Sequence, residues 1–388
     1  MNNAANPGSE RQGSAPRNSP LSLALIAILS LGLGYVVFKI VQWLVTSLWT
    51  DVPANTFDGS APWYYLLALP MVAGVLVALF RRGADGHNPL GGISAAPISV
   101  PDYPFVLAAI LATLAGGLVL GPEVALVSTG SVIGGFIGSK QPNPDMGKAV
   151  GVGVIFGLLA LVVDPIRTGT LSVGDGGSFA WDGLWHGAIA AIATAILLGV
   201  IFALGKALVA ARGGDRPVVW QLALAGLAVG GVAWCYQTWA DQPVDLVLTS
   251  GEQMIRPMME LGSIGLILAT VAAKSLAYWI SLGSGFRGGP YFPAMFAGAG
   301  FGAVTALIFD APTQGPALAG LLAAMAYLAK TKWVFTVVLA LALGFILGGL
   351  ALIPVALLGA AIGKLIPRFT APVPLQDPAP EPERAATA

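Results

Sequence analysis

The chain has 388 residues and no net charge, because 19 lysines and arginines balance 19 aspartates and glutamates. Charged residues make up 10% of the chain, against about 25% in an ordinary soluble domain, and the mean hydropathy is +0.80. This composition excludes a soluble globular protein and predicts an all-α polytopic membrane protein, and the neutral balance gives no reason to expect a nucleic-acid partner. With one cysteine and two histidines, we expect no disulfide, no metal, no cofactor and no enzymatic activity.

Apolar stretches that can enter a bilayer recur along the whole chain. Three of them, 122–138, 290–309 and 316–331, are short for a full crossing and predict helices that end inside the membrane, where protein or a wet cavity satisfies the freed backbone groups. The predicted spans, in chain order, cover residues 21–49, 62–80, 104–120, 122–138, 147–163, 183–211, 218–240, 261–282, 290–309, 316–331, 333–349 and 351–367.

Polar segments at both ends predict tails outside this membrane domain. Residues 1–20 and 368–388 are predicted to be disordered, and residues 21–367 to form one transmembrane domain, with a first half at about 21–170 and a second at about 180–367. The apolar run at 21–48 is too long for the core of a cleavable signal. Basic residues flank the spans in a pattern that predicts cytoplasmic termini; they are Arg11, Arg17, Arg81, Arg82, Lys364 and Arg368.

The most informative feature is a matched pair of Gly/Pro interruptions in otherwise apolar sequence. The first is Leu120–Ala125 (LGPEVA) and the second is Gly288–Pro293 (GGPYFP). In both, the Gly-Pro pair is followed at the same spacing by a helix with the pattern G-x-x-x-G, which favours close helix packing in lipid. Corresponding breaks in two halves of a membrane protein predict inverted repeats and an ion site near the bilayer midplane.

Glu123 is the candidate gating residue. An ionisable group inside a span costs about 3 kcal/mol on insertion scales, so its presence there indicates function. Because Pro122 suits the first turn of a helix, Glu123 would lie at a helix N-terminus, which favours a carboxylate and would also favour an anion. Competition between the two is a physical basis for gating. The alternative is that Glu123 only caps its own helix.

The second break offers backbone donors and nearby positive charge. Free N–H groups at the start of its helix would bind an anion, and the glycines before it permit close approach. Lys274, in the preceding span, either sets a positive potential or binds helix C-terminal carbonyls or a carboxylate. Arg287 either adds charge near the path or anchors its loop. The candidate anion-binding residues of both breaks are Gly121, Pro122, Val124, Gly288, Gly289, Tyr291 and Phe292.

These motifs resemble those of the chloride channel/transporter family, which reads G-(R/K)-E-G-P at its first break and G-S-G-x-x-G-G-x-F-x-P at its second. Here the second reads GSGFRGGPYFP over residues 283–293, Lys274 matches a basic residue of the family, and Leu318–Ala324 resembles a later helix start. The match covers most of residues 21–367, and the variant motifs resemble a divergent bacterial subgroup of ion-transport proteins.

The resemblance implies a homodimer in the bacterial inner membrane, with one pathway per subunit for a small inorganic anion such as chloride. Glu123 would occupy the anion site when ionised and swing away when protonated. Three functions stay open at this point: a passive channel, which we favour, a proton-coupled antiporter, and a membrane scaffold or sensor that has lost the path.

Several family features are missing from the sequence. The segment that should carry an ion-binding serine is best matched by Asp85–Pro89 (DGHNP), which has none, and the family's pore tyrosine falls on the apolar Pro354–Leu358. Pro290 cannot donate a backbone hydrogen bond. The internal proton-transfer glutamate of the antiporters is also unmatched.

Overall fold

The computed structural model describes residues 18–57, 59–86, 88–91, 97–142, 144–168, 181–216, 218–329 and 332–369. These residues are almost entirely helical, and the one β-pairing found among them is a single bridge between Gly121 and Gly289. The α-helices are α1 (Pro20–Thr46), α2 (Val52–Thr56), α3 (Trp63–Phe80), α4 (Tyr103–Ala115), α5 (Glu123–Gly138), α6 (Met146–Thr168), α7 (Asp182–Ala211), α8 (Val219–Ala240), α9 (Ile255–Met259), α10 (Ile264–Ser284), α11 (Tyr291–Phe309), α12 (Gln314–Leu328), α13 (Trp333–Gly348) and α14 (Ile353–Phe369).

Each predicted span corresponds to one of these helices, so the all-α polytopic fold is confirmed. Within the described ranges, six helical segments are long and apolar enough to cross a membrane, and the other apolar helices are shorter. Sequence did not predict the short helices α2 and α9. The folded region also begins earlier than the predicted boundary, because the Asn18 side chain is buried and donates to the Asp145 carbonyl oxygen. Residues 1–17 and 370–388, which hold most of both predicted tails, lie outside the described residues.

The two halves repeat with the same spacing as the two breaks. The interval along the chain from Glu123, which begins α5, to Tyr291, which begins α11, equals the interval from Met146, which begins α6, to Gln314, which begins α12. In both halves the first helix packs against the second, α5 on α6 and α11 on α12. The repeat therefore includes the tertiary packing of a helix pair as well as the sequence motif.

Close approach of the paired helices depends on glycine at corresponding places. A β-carbon added to Gly130 of α5 would overlap the backbone carbonyl of Gly153 in α6, and one added to Gly298 of α11 would overlap the carbonyl of Gly320 in α12. Gly298 occupies the same position in α11 that Gly130 occupies in α5. Small residues at such crossings let the backbones touch, and the resulting close packing helps helices to associate in lipid.

Both interrupted segments lie inside the protein. Every residue of 116–130 and of 281–290 is buried. Helices α5 and α11 therefore begin in the protein interior, which is the arrangement expected of helices that start within the bilayer rather than at its surface.

Two glycines of α6 should respond in opposite ways to substitution by alanine. Gly153→Ala should lower the melting temperature of the detergent-solubilised protein, because the added methyl group overlaps the Gly130 carbonyl and overpacking costs about 1–3 kcal/mol. Gly151→Ala is the matched control: nothing lies within 4 Å of its added β-carbon, and alanine favours a helix by about 1 kcal/mol. Equal melting temperatures for the two variants would contradict the predicted crossing.

Candidate functional site

The two interruptions meet each other directly. The Gly121 N–H donates to the Gly289 carbonyl oxygen and the Gly289 N–H donates to the Gly121 carbonyl oxygen, each at 2.6 Å. This reciprocal antiparallel pair brings the beginnings of α5 and α11 together. The sequence-based expectation that both breaks converge at one buried place agrees with this geometry.

The Glu123 carboxylate lies at this meeting point. Its Oε1 accepts a hydrogen bond of 2.9 Å from the Phe292 N–H, and the carboxylate also interacts with the backbone N–H groups of Tyr291 and of Glu123 itself. The residue is 3% exposed, and Oε2 has no hydrogen-bond partner among the described residues. Glu123 therefore caps α11 of the other half as well as its own helix α5. The alternative that Glu123 caps only its own helix does not account for the bond to Phe292.

Glycine is required beside the carboxylate. A β-carbon added to either Gly121 or Gly289 would overlap Glu123 Oε2. The side chain thus lies against bare backbone on both sides, where peptide dipoles and N–H groups are accessible to a negative charge.

Most of the other predicted anion-binding residues lie beside the Glu123 carboxylate. Pro122 and Pro290 occupy the position before the first helical residue of α5 and of α11. Gly288 packs against Leu120 of the first break, so that a β-carbon would have no room there. The structure groups Gly121, Pro122, Gly288, Gly289, Tyr291 and Phe292, whereas the Val124 side chain packs in a separate buried cluster with Val106 and Ile110. Binding of an anion by these residues stays a prediction.

Tyr278 also lies at the site, although the sequence did not predict it there. Its buried hydroxyl donates to the Pro290 carbonyl oxygen at 2.7 Å, and the ring is close enough to Glu123 and Tyr291 to interact with both electrostatically. The apolar Pro354–Leu358 segment lies in α14. A tyrosine hydroxyl is therefore present beside the meeting point, but it comes from α10 and not from the C-terminal region.

The Lys274 ammonium group donates hydrogen bonds to three backbone carbonyl oxygens. The ammonium Nζ donates to the carbonyl oxygens of Val247, Leu248 and Thr249 at 3.0–3.3 Å and lies 4.8 Å from the Phe296 ring centroid. This geometry matches the structural interpretation of Lys274, which holds the 244–254 segment in place. Thr249 has φ of +60°, an unusual conformation for a β-branched residue that often occurs near functional sites.

A cavity of about 80 Å³ adjoins the first break. Its lining includes Pro122, Thr249, Gly251, Glu252 and Gln42. Glu252 Oε2 is buried with no partner among the described residues, and the Gln42 amide hydrogen-bonds to this carboxylate. Glu252 is also close enough to Glu123 for the two carboxylates to repel each other.

Sequence analysis missed Glu252 because no predicted span contains it. It lies between α8 and α10, and burial raises its pKa to about 7. Only the fold shows that this loop residue shares a cavity with the residue that precedes Glu123. A glutamate after Gly251 in a polar loop gives no signal in a single sequence.

Arg287 makes ion pairs rather than presenting a free charge to the path. Its Nη2 lies 2.7 Å from Asp215 Oδ2, and its Nε donates to Asp85 Oδ1 at 2.9 Å. Asn88 also donates to Asp215, at 2.9 Å. The predicted counterpart of the serine segment, Asp85–Pro89, therefore faces the second break through ion pairs; His87 lies outside the described residues.

The sequence of this chain is similar to that of a known family of membrane proteins and to that of individual bacterial relatives. Residues 147–368 match the model of a family described as "Voltage gated chloride channel". The chain is 25% identical over 343 residues to the "Putative ion-transport protein YfeO" of Escherichia fergusonii and over 349 residues to that of Escherichia coli (strain K12 / DH10B); both alignments cover 74% of this chain and 80% of the relative.

Two solved structures have a similar fold at 16% sequence identity. One is a slow cyanobacterial Cl⁻/H⁺ antiporter, with a TM-score of 0.66 over 91% of this chain and 95% of the other. The second is a CLC-type fluoride/proton antiporter, with a TM-score of 0.64 over 90% of this chain and 97% of the other. The first residues of α5 and α11 meet at Gly121 and Gly289. The family model matches more than half of this chain, which shows that the chain belongs to the voltage gated chloride channel family.

Proposed function

We propose that the protein transports a small inorganic anion such as chloride passively across the membrane, and that Glu123 gates the path. One observation carries this proposal: the Glu123 carboxylate occupies the place where the N-termini of α5 and α11 converge. The homodimeric state, the inner-membrane location and the cytoplasmic termini implied by the family resemblance belong to the same proposal.

The chemistry of this place suits an anion. Helix N-termini present N–H groups and the positive end of the helix dipole, and these features favour negative charge without selecting its source. A carboxylate on the chain and a mobile anion therefore compete for one position. When the carboxylate is neutral it loses its attraction to the helix ends, and the anion takes its place.

An unsatisfied oxygen of the Glu123 carboxylate supports the proposed gating role. Oε2 is buried without a partner among the described residues, and a buried unpaired polar atom costs about 1–3 kcal/mol. The occupied state is therefore only partly satisfied, which leaves the carboxylate free to exchange with an ion.

Glu123→Gln tests the gate. In liposomes with an outward chloride gradient, we expect the variant to conduct anions at a rate that no longer depends on pH between about 4 and 8, because glutamine carries no charge and does not titrate. Wild type should conduct faster at acid pH. Chloride efflux and external pH are recorded together.

Glu260→Gln is the matched control for this experiment, because Glu260 has a 65% exposed side chain and pairs with Arg256 at the surface. It should behave as wild type. Unchanged flux and unchanged pH dependence in Glu123→Gln would remove the gating role. Absence of flux for halides, nitrate and bicarbonate in wild type would favour a scaffold or sensor without transport.

Glu252 favours proton-coupled exchange as a second candidate. Its carboxylate faces the cavity that adjoins Pro122 and is near Glu123, and the cavity is large enough to hold water. Because burial raises the pKa of Glu252 to about 7, the group gains and loses protons near neutral pH. It is suited to passing protons to and from Glu123.

Glu252→Gln distinguishes exchange from passive conduction. If exchange occurs, wild type should move protons with chloride, and this movement should decline as the pH rises above about 7 because Glu252 then loses its proton. The variant should lose about 10-fold or more of the coupled proton movement and keep little pH dependence near 7. Chloride flux with no proton movement in wild type would exclude exchange and support the passive path.

A further inference from the structure

Tyr278 of α10 bonds to the second break at the peptide group that faces Glu123. Its hydroxyl donates to the Pro290 carbonyl oxygen at 2.7 Å. That carbonyl and the Tyr291 N–H belong to one planar peptide group, because a peptide joins the C=O of one residue to the N–H of the next. The Tyr291 N–H interacts with the Glu123 carboxylate. The tyrosine hydroxyl and the carboxylate thus bind opposite ends of one rigid group.

A matched pair of side-chain hydroxyls holds each break to the other half of the protein. The Val119 N–H of the first break donates to Ser281 Oγ at 3.1 Å. The Arg287 N–H of the second break donates to Thr113 Oγ1 at 3.3 Å. Both hydroxyls also donate to the carbonyl oxygen four residues earlier in their own helices. The two hydroxyl residues are separated by the same interval along the chain as the two breaks, so this frame is common to both halves.

Tyr278 has no counterpart in this frame. The residue at the corresponding place in α4 is Ile110, which is buried and has no hydroxyl group. Glu123 also lacks a matching carboxylate, because Tyr291 begins α11 where Glu123 begins α5. Both departures from the repeat concern the same contact. Only the second half receives a carboxylate from the other half, and only the second half carries the tyrosine that bonds to the receiving peptide.

A proline explains why the second break needs this hydroxyl. In the first break, the Pro122 carbonyl oxygen accepts a hydrogen bond of 3.0 Å from the Ala125 N–H. The residue at the equivalent position in α11 is Pro293, which has no N–H to donate. The Tyr278 hydroxyl is the donor to the Pro290 carbonyl instead. A side chain from another helix therefore holds this peptide, in place of a backbone bond within the same helix.

The Tyr278 side chain is itself held in place. It is buried, and its ring packs edge-on against Phe202 of α7, with 6.4 Å between the ring centroids. Side chains in such a packed interior keep one rotamer on average. Ser281, which binds the first break, lies one turn further along the same helix. Helix α10 therefore contacts both breaks through two neighbouring side chains.

We propose that Tyr278 is a positioning residue for the gate, because its hydroxyl holds the peptide between Pro290 and Tyr291 so that the N–H of this peptide faces the Glu123 carboxylate. A hydrogen bond to a peptide carbonyl also polarises the N–H at the other end of the group, which strengthens its attraction for negative charge. The functional meaning of this inference rests on the proposed gating role of Glu123. It assigns no contact between Tyr278 and a transported ion.

Tyr278→Phe removes the hydroxyl and keeps the ring. The Glu123 carboxyl group is titrated by infrared spectroscopy in the detergent-solubilised full chain, and its C=O band is identified by its absence from Glu123→Gln. We expect the protonation midpoint to rise by about 0.5–1 pH unit in Tyr278→Phe, because a less well oriented N–H holds the ionised form less strongly. The acid activation of chloride efflux from liposomes should shift in the same direction.

Tyr236→Phe is the matched control. The Tyr236 hydroxyl is also buried, and it bonds at 2.6 Å to Thr270, which lies about two turns before Tyr278 in α10. Loss of either hydroxyl should lower the melting temperature, but only Tyr278→Phe should move the infrared midpoint. Glu252 and Tyr291 also act electrostatically on Glu123, and both are unchanged in these variants.

Pro293→Ala tests the mechanism by restoring a backbone donor. The alanine N–H would serve the Pro290 carbonyl as Ala125 serves Pro122 in the first break. In the Tyr278→Phe background, Pro293→Ala should therefore return the infrared midpoint at least half of the way to that of wild type. A purely structural role of the tyrosine predicts no such rescue.

Replacement of Tyr278 by 3-fluorotyrosine gives a second test that does not depend on the folding of Tyr278→Phe. The fluorinated phenol is a stronger donor of nearly the same shape, so the midpoint should fall by about 0.2–0.5 pH unit, opposite to the shift in Tyr278→Phe. If Tyr278→Phe does not fold, this replacement decides alone.

Failure of the positioning role can be distinguished from failure of the gate. An infrared midpoint that equals that of wild type in Tyr278→Phe and with 3-fluorotyrosine overturns the positioning role, even where flux is normal and activated by acid. Equal shifts in Tyr278→Phe and Tyr236→Phe overturn it as well. The expected shifts in a protein that shows no anion flux support the positioning role and overturn the transport proposal.

Discussion

The whole arrangement depends on two backbone segments that exchange hydrogen bonds inside the membrane domain. Gly121 and Gly289 form the reciprocal pair, and this pair fixes where α5 and α11 begin. Buried backbone groups in lipid must find partners within the protein. By pairing with each other, the two breaks satisfy those groups, and they leave the next N–H groups of each helix directed at one point.

A carboxylate at that point is costly to bury. Backbone N–H groups from both halves hold Glu123 on one oxygen, while the other oxygen lacks a partner among the described residues. The described residues therefore hold the carboxylate through one oxygen only. This incomplete binding, rather than any single strong contact, is what supports the proposed gating role.

The two sides of the site have opposite electrostatic character. Glu252 and Asp245 line the cavity that adjoins Pro122, whereas Arg81, Arg212 and Arg287 form ion pairs with Asp85 and Asp215 elsewhere. The ammonium of Lys274 binds backbone carbonyl oxygens and holds the segment that carries the carboxylates.

The sequence by itself determined the helices, the internal repeat, the two breaks and the place of Glu123 at the start of a helix. These features are local: apolar length, Gly/Pro interruption and a charge inside a span can each be recognised within a few residues of the chain. Only the tertiary structure decided that Glu123 caps the other half's helix, that Tyr278 and Glu252 lie nearby, and that Arg287 pairs with Asp85 and Asp215. Those contacts join residues that are far apart along the chain, and polar loop residues have no periodicity that would predict their partners.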